Sequence, residues 1–202
     1  MSTSPNLINF DKKIILASAS PRRQELLKLI VPEFEVCPSD FDESLISLRK
    51  PSNYVTELAF QKANFISNNQ SVDSIIIGFD TCVVLDGEIM NKPIDKIDAY
   101  YMLKKLSNNR HQVFTGISII NKTVNRTNEI IKTYKKTDVK FRELFDEEIV
   151  AYIDTGSPLD KAGAYGIQDD FGAVFVEEIR GCYYNIVGLP LELLFSKLIK
   201  LQ

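Results

Sequence analysis

Cysteine is scarce in the 202-residue sequence and poorly spaced for chemistry: Cys37, Cys82 and Cys182 stand far apart, with no C-x-x-C pair. An odd, scattered set fits neither a disulfide framework nor a zinc site, and points to reduced thiols in a cytosol-like compartment. Histidine is scarcer still. His111 is the only one, with no second histidine or cysteine arranged as a nucleophilic pair, and it reads as a structural residue before a general base. There is no basic excess either; a net charge of −3 argues against a general nucleic-acid binder, although a small anion needs only a local positive cluster. No apolar run approaches the roughly 20 residues of a membrane span, and the polar start through Phe10 lacks the apolar core of a signal peptide. Neither a G-x-x-x-x-G-K-[ST] loop nor a G-x-G-x-x-G fingerprint appears. The expectation is a soluble, cytoplasmic protein that binds neither membranes nor nucleic-acid polymers.

What is present suits one globular domain, or two tightly joined lobes, given 45% hydrophobic residues and a length that can offset the entropy of folding. A flexible extension is expected over 1–12 and the folded domain over 13–202. Strands are expected at 13–17, 34–37, 74–85 and 88–90, the last two joined by a type I′ turn at Asp86-Gly87. Further strands are expected at 113–120, 129–141 and 173–179, with an exposed loop at 121–128. Helices are expected at 21–30, 53–66, 95–106, 146–154 and 190–198. Val55, Leu58, Ala59 and Ala63 share one face of the second helix, and Tyr101, Met102 and Leu106 are available to the core from the third. Interleaved strands and helices define an α/β class with a mixed sheet.

Ser18-Ala19-Ser20-Pro21-Arg22-Arg23 follows a strand and opens a helix. Ser20 suits the N-cap and Pro21 the first helical position. Arg22 and Arg23 are the anomaly, because the first turn already carries the positive end of the helix dipole. One reading is an anion grip, in which N–H groups, serine hydroxyls and guanidiniums converge on a phosphate. The competing reading places both arginines in solvent or pairs them with Glu25 and nearby acids.

The run from Ile75 to Leu85 contains a single charged residue, Asp80. A carboxylate in such a strand is costly unless paired, hydrogen-bonded or bound to metal. Asp80 therefore reads as a metal ligand, a water activator or both, against the plainer alternative of a strand-edge carboxylate satisfied by a nearby N–H. Gly78 leaves room for close backbone approach. Asp42-Glu43, Lys62, Lys92 and Lys161 could complete a site, although a solvated loop or a snorkelling lysine explains each singly. The closely spaced glycines from Asp160 to Gln168 suggest backbone approaching a ligand, or a surface turn.

Taken in order, these segments resemble the Maf family of nucleotide pyrophosphatases. The resemblance rests on L-A-S-A-S-P-R-R at 16–23, D-E at 42–43, L-A-F-Q-K-A at 58–63 and G-F-D-T at 78–81. It continues through N-K-P at 91–93, H-Q-V-F-T-G at 111–116, D-K-A-G-A-Y-G-I-Q at 160–168 and V-G-L-P at 187–190. Each is weak alone; eight in the right order, from Ile14 to Leu194, are a strong signal.

The resemblance implies a single domain similar to inosine triphosphatases: a mixed, twisted sheet flanked by helices, with a cleft between two lobes. It implies hydrolysis of dTTP or UTP, or of modified pyrimidine nucleotides in a housecleaning role, to the monophosphate and pyrophosphate. Asp80 matches the family's proton acceptor. Arg22, Thr81 and Gln168 match positions of substrate selection. Ser18, Ser20, Arg23, Glu43, Lys62, Lys92 and Lys161 match polar positions around triphosphate and metal, with Glu43 and Asp80 as ligands of Mg²⁺ or Mn²⁺. A homodimer is compatible with it. Phe79, Gln61 and Asn108-Asn109-Arg110 depart from the family's usual residues. The alternative is a non-catalytic nucleotide-binding regulator linked to cell division.

Overall fold

Residues 8, 10–168 and 171–201 are described in a computed structural model of the chain. Of the extension expected over 1–12, residues 1–7 and 9 lie outside the described residues. Ile8 is buried, and the Lys12 ammonium donates to Asn121 Oδ1 and Thr123 Oγ1, each at 2.7 Å.

Seven strands form one mixed sheet: β1 (Lys13–Leu16), β2 (Glu35–Val36), β3 (Ser74–Leu85), β4 (Glu88–Met90), β5 (Arg110–Lys122), β6 (Glu129–Phe141) and β7 (Val176–Arg180). Their order is β2-β1-β3-β5-β6-β7, with β4 also paired to β3. β1 runs parallel to β2 and β3, whereas β4 is antiparallel to β3 and β7 to β6. The α/β class and mixed sheet expected from the sequence are what the chain forms. Ile14, Ile15 and Leu16 are all buried, as a parallel strand with neighbours on both sides requires.

The helices are α1 (Pro21–Lys28), α2 (Pro51–Asn68), α3 (Lys96–Leu106), α4 (Asp146–Asp154), α5 (Tyr183–Val187) and α6 (Leu191–Ile199). Contacts divide the chain into two compact units. One holds Met1–Asp80, Thr115–Lys135 and Gly188–Gln202; the other holds Thr81–Phe114 and Lys136–Val187.

In the first unit, α2 buries Val55, Leu58, Ala59 and Ala63 completely, the helical face expected from their spacing. Two glycines bring this helix close to the sheet. A Cβ on Gly78 would stand 2.2 Å from the Ala59 carbonyl oxygen, and one on Gly116 2.2 Å from that of Val55. Only a hydrogen fits at either point. Ile15, Ala17, Ala63, Ile66, Ile76 and Ile120 form an apolar cluster of this unit.

The second unit packs Leu103, Val113, Phe141, Tyr152 and Phe175 into its own core. The β3–β4 turn has φ of 51° at Asp86 and 85° at Gly87, the left-handed pair a type I′ turn needs. Three expectations are corrected here. Tyr101 is exposed, whereas Leu106 is buried and Met102 packs against the core as expected, and α3 also buries Ala99 and Leu103. Residues 173–175, expected as the start of a strand, belong to the 3₁₀ turn Gly172–Phe175, and the strand begins at Val176. β5 begins at Arg110, three residues before the expected start. α5 was not expected at all; five residues carry too little periodicity to announce a helix.

Candidate active site

β3 carries Asp80 into the interior, with 7% of its surface exposed. Ile75 to Phe79 are fully buried, so the carboxylate sits at the end of an apolar stretch and needs a partner. That partner comes from α2. Lys62 Nζ lies 2.6 Å from Asp80 Oδ1 and 2.8 Å from Glu43 Oε1. The close packing at Gly78 sets this geometry, because Ala59 and Ala63 touch the strand on either side of Lys62 in sequence.

Glu43 is free for this role because turn chemistry takes its neighbour. Asp42 caps the 3₁₀ turn Glu43–Leu45, accepting from Ser44 N at 3.0 Å and Ser44 Oγ at 2.7 Å. These bonds hold the Asp42 carboxyl below its usual range. On α2, Gln61 donates to Glu57 Oε1 at 2.7 Å, a local helical pair beside Lys62.

Arg23 closes the site from a fourth element, α1. Ser20 caps α1 by accepting from Arg23 N, with Pro21 opening the helix. The Arg23 side chain then folds inward. Its Nε donates to Gly188 O at 3.0 Å, and its Nη1 to Ser18 Oγ and Phe79 O, each at 3.3 Å. Phe79 is fully buried, and the guanidinium lies 5.8 Å from its ring centroid. Ser18 also accepts from Ser20 N at 3.3 Å, so both serines are tied into the turn. Arg22 is half-buried on the same first turn. Burial is the main influence on Asp80 and pushes its carboxyl above the usual range. Lys62 and Arg23 oppose the rise, and Glu43 adds to it. A buried carboxylate whose pKa is raised is a candidate proton acceptor.

The first unit thus brings together Ser18, Ser20, Arg23, Glu43, Lys62 and Asp80. Thr81 follows Asp80 on β3, and Lys92 follows β4 as an exposed residue. Lys161 is buried, its Nζ donating to Ser157 O at 2.5 Å and paired with Asp160 Oδ1 at 2.6 Å. Gln168 is exposed. Gly163 N donates to Asn91 O at 3.0 Å, so the N-K-P and D-K-A-G-A-Y-G-I-Q motifs meet through their backbones. Gly188, whose carbonyl holds Arg23, was not singled out in the sequence; only its place in V-G-L-P pointed to it.

Among the described residues, no three or more His, Cys, Asp or Glu side chains gather as a metal-holding cluster. Asp80 and Glu43 nevertheless fit a Mg²⁺-like ion. They are hard oxygen donors converging on one cation, Lys62, and such ions need only one or two carboxylates when water and phosphate supply the rest.

A buried carboxylate on a strand, a lysine on the crossing helix and an arginine at a helix start form the candidate site on this mixed α/β sheet. Residues 13–201 match the family described as Maf-like protein, and the chain belongs to that family. It is 49% identical to a Clostridium beijerinckii protein named dTTP/UTP pyrophosphatase, over 94% of this chain and 100% of that one. It is 50% identical to a Clostridium novyi protein of the same name, over 91% of this chain and 95% of the other. In fold it is similar to the Ham1 protein of Staphylococcus aureus, with a TM-score of 0.51 at 17% identity, covering 95% of this chain and all of that one.

Proposed function

We propose that this protein hydrolyses dTTP and UTP to the nucleoside monophosphate and pyrophosphate. The observation that carries the reading is the buried Asp80 carboxylate held by Lys62 and flanked by Glu43 and Arg23. The names of relatives about half identical along nearly the whole chain supply the substrate.

Asp80 accepts a proton from water as the water oxygen forms a bond to the α-phosphorus. The bond from that phosphorus to the bridging oxygen breaks, and pyrophosphate leaves. Lys62 holds both carboxylates in register and offsets their mutual repulsion at close range. Asp80 and Glu43 would hold Mg²⁺ or Mn²⁺, which would polarise the phosphate and offset its charge. The first turn of α1 and Arg22 supply positive potential for the polyphosphate. We assign Thr81, Lys92, Lys161 and Gln168 to the same nucleotide on the motifs that carry them. The Gln168 amide, with one donor and one acceptor face, suits a pyrimidine edge. No helix among the described residues is long and apolar enough to cross a membrane. We assign the enzyme to the cytoplasm on its three scattered cysteines, which lack the spacing of a disulfide framework.

The test is a panel of nucleotides with Mg²⁺ or Mn²⁺ and identification of the product. Pyrophosphate from dTTP and UTP is expected, and orthophosphate would overturn the assignment. Asp80→Asn should lose at least roughly 100-fold in kcat while remaining folded. Near-normal turnover in that variant would remove Asp80 from the chemistry. Tight nucleotide binding with no turnover in the wild type would mark a regulator instead.

A further inference from the structure

The segment 160–168 is held from below by buried groups that the reaction does not use. Gly163 has φ of 67° and Ala164 of 60°, so the chain doubles back through two left-handed residues, one of them costly for a side chain. Gly163 packs directly on β3: a Cβ there would come within 2.8 Å of Val83. Past this bend, two side chains take hold of consecutive residues. His111 Nε2 and Tyr165 Oη lie 2.8 Å apart, and Tyr152 Oη accepts from Gly166 N at 3.1 Å.

These groups are deep in the second unit. Tyr152 is fully buried and His111 is 1% exposed. Phe141 and Phe175 pack edge-on between them, with centroid separations of 4.7 to 5.9 Å. A third contact closes the segment from the other side. A Cβ on Gly172 would meet Gly166 O at 2.4 Å and Tyr152 Oη at 2.8 Å, so the chain beyond the motif returns onto the same phenol. Tyr165 and Ile167 point into the core, and Gln168 stands exposed two residues after the Tyr152 bond.

We propose that Tyr152 and His111 are positioning residues for base selection, setting the height at which the segment 165–168 presents Gln168 to the nucleotide. The proposal rests on the assignment of Gln168 to the pyrimidine in the proposed function. Hydroxyl and imidazole act on rigid elements, α4 and β5, and grip backbone and side chain at adjacent positions. A reader held at two points cannot retreat to admit a larger base. The discrimination is therefore built below the reader and not only in it.

The experiment measures kcat and KM for UTP, dTTP and GTP in the wild type and in Tyr152→Phe, Tyr165→Phe and His111→Phe. Each substitution removes one hydrogen-bonding group and keeps most of the ring volume. The UTP-to-GTP ratio of kcat/KM should fall by roughly three- to tenfold, the factor that follows from losing one hydrogen bond. For UTP the loss should fall in KM more than in kcat. Tyr165→Phe combined with His111→Phe should be no worse than either alone, since both remove the same bond. A wild type that turns over GTP as fast as UTP would overturn the base-reading assignment itself. A selective wild type whose ratio survives all three substitutions would overturn the brace alone. An equal loss for every nucleotide would show the aromatic cluster to be merely structural, and would also overturn it.

Discussion

Arg23 donates through Nη1 to the carbonyl oxygen of Phe79 at 3.3 Å, gripping the backbone one residue before Asp80. Its Nε meets Gly188 O and its Nη1 also meets Ser18 Oγ. One guanidinium therefore joins α1, β3 and the loop before α6. An arginine at the positive end of a helix is unfavourable by the dipole alone; three acceptors reached by a planar fork repay that cost.

A lysine cannot make the same three bonds, because its ammonium is a single point at the end of a flexible chain. Arg23→Lys should destabilise the fold by about 1–3 kcal/mol in urea titration. It should also lower kcat by roughly tenfold or more, as misplacement of a reacting group does, with the smaller change in KM. A normal kcat with a raised KM would instead put Arg23 on the substrate.

Gly78→Ala tests whether close packing of α2 places Lys62. The new methyl carbon would stand 2.2 Å from the Ala59 carbonyl oxygen, so helix and strand must separate. The expected loss is about 1–3 kcal/mol of stability, with a fall in turnover measured at a temperature where the variant is still folded. Wild-type stability and activity together would show that α2 can shift without consequence.

Stability should depend on pH through His111. Burial lowers its pKa from 6.5 to about 4, so the folded protein keeps the ring neutral where the unfolded chain takes up a proton. Stability from this group is intact above pH 6.5 and is lost as pH falls toward 4. The full loss is about 3 kcal/mol at about 1.4 kcal/mol per pKa unit. His111→Phe should flatten that part of the stability profile. An unchanged slope in the variant would assign the loss to other groups.

Much of this was legible in the sequence where the signal was local. The apolar run of β3, the Asp86-Gly87 turn, β6 and α4 have their expected bounds. Asp80 stood out because it was the only charge in its strand. What was hidden was non-local or too short to be periodic. β5 opens with Arg110, His111 and Gln112, and the buried member of that alternation is a polar histidine, so hydrophobicity did not mark it. An apolar stretch at 172–175 serves a 3₁₀ turn as well as a strand. Nothing in the local sequence marks Tyr152 on α4, because its bond to Gly166 spans 14 residues. The inward fold of Arg23 depends on Gly188, 165 residues away, and no spacing rule links them.

Attack of water at the α-phosphorus separates this reaction from every other triphosphate hydrolysis, and isotope labelling reads it out. Hydrolysis of dTTP in H₂¹⁸O, followed by mass analysis of both products, should place the label in the monophosphate and leave pyrophosphate unlabelled. Label in pyrophosphate would mean attack at the β-phosphorus and would overturn the reaction proposed for this site.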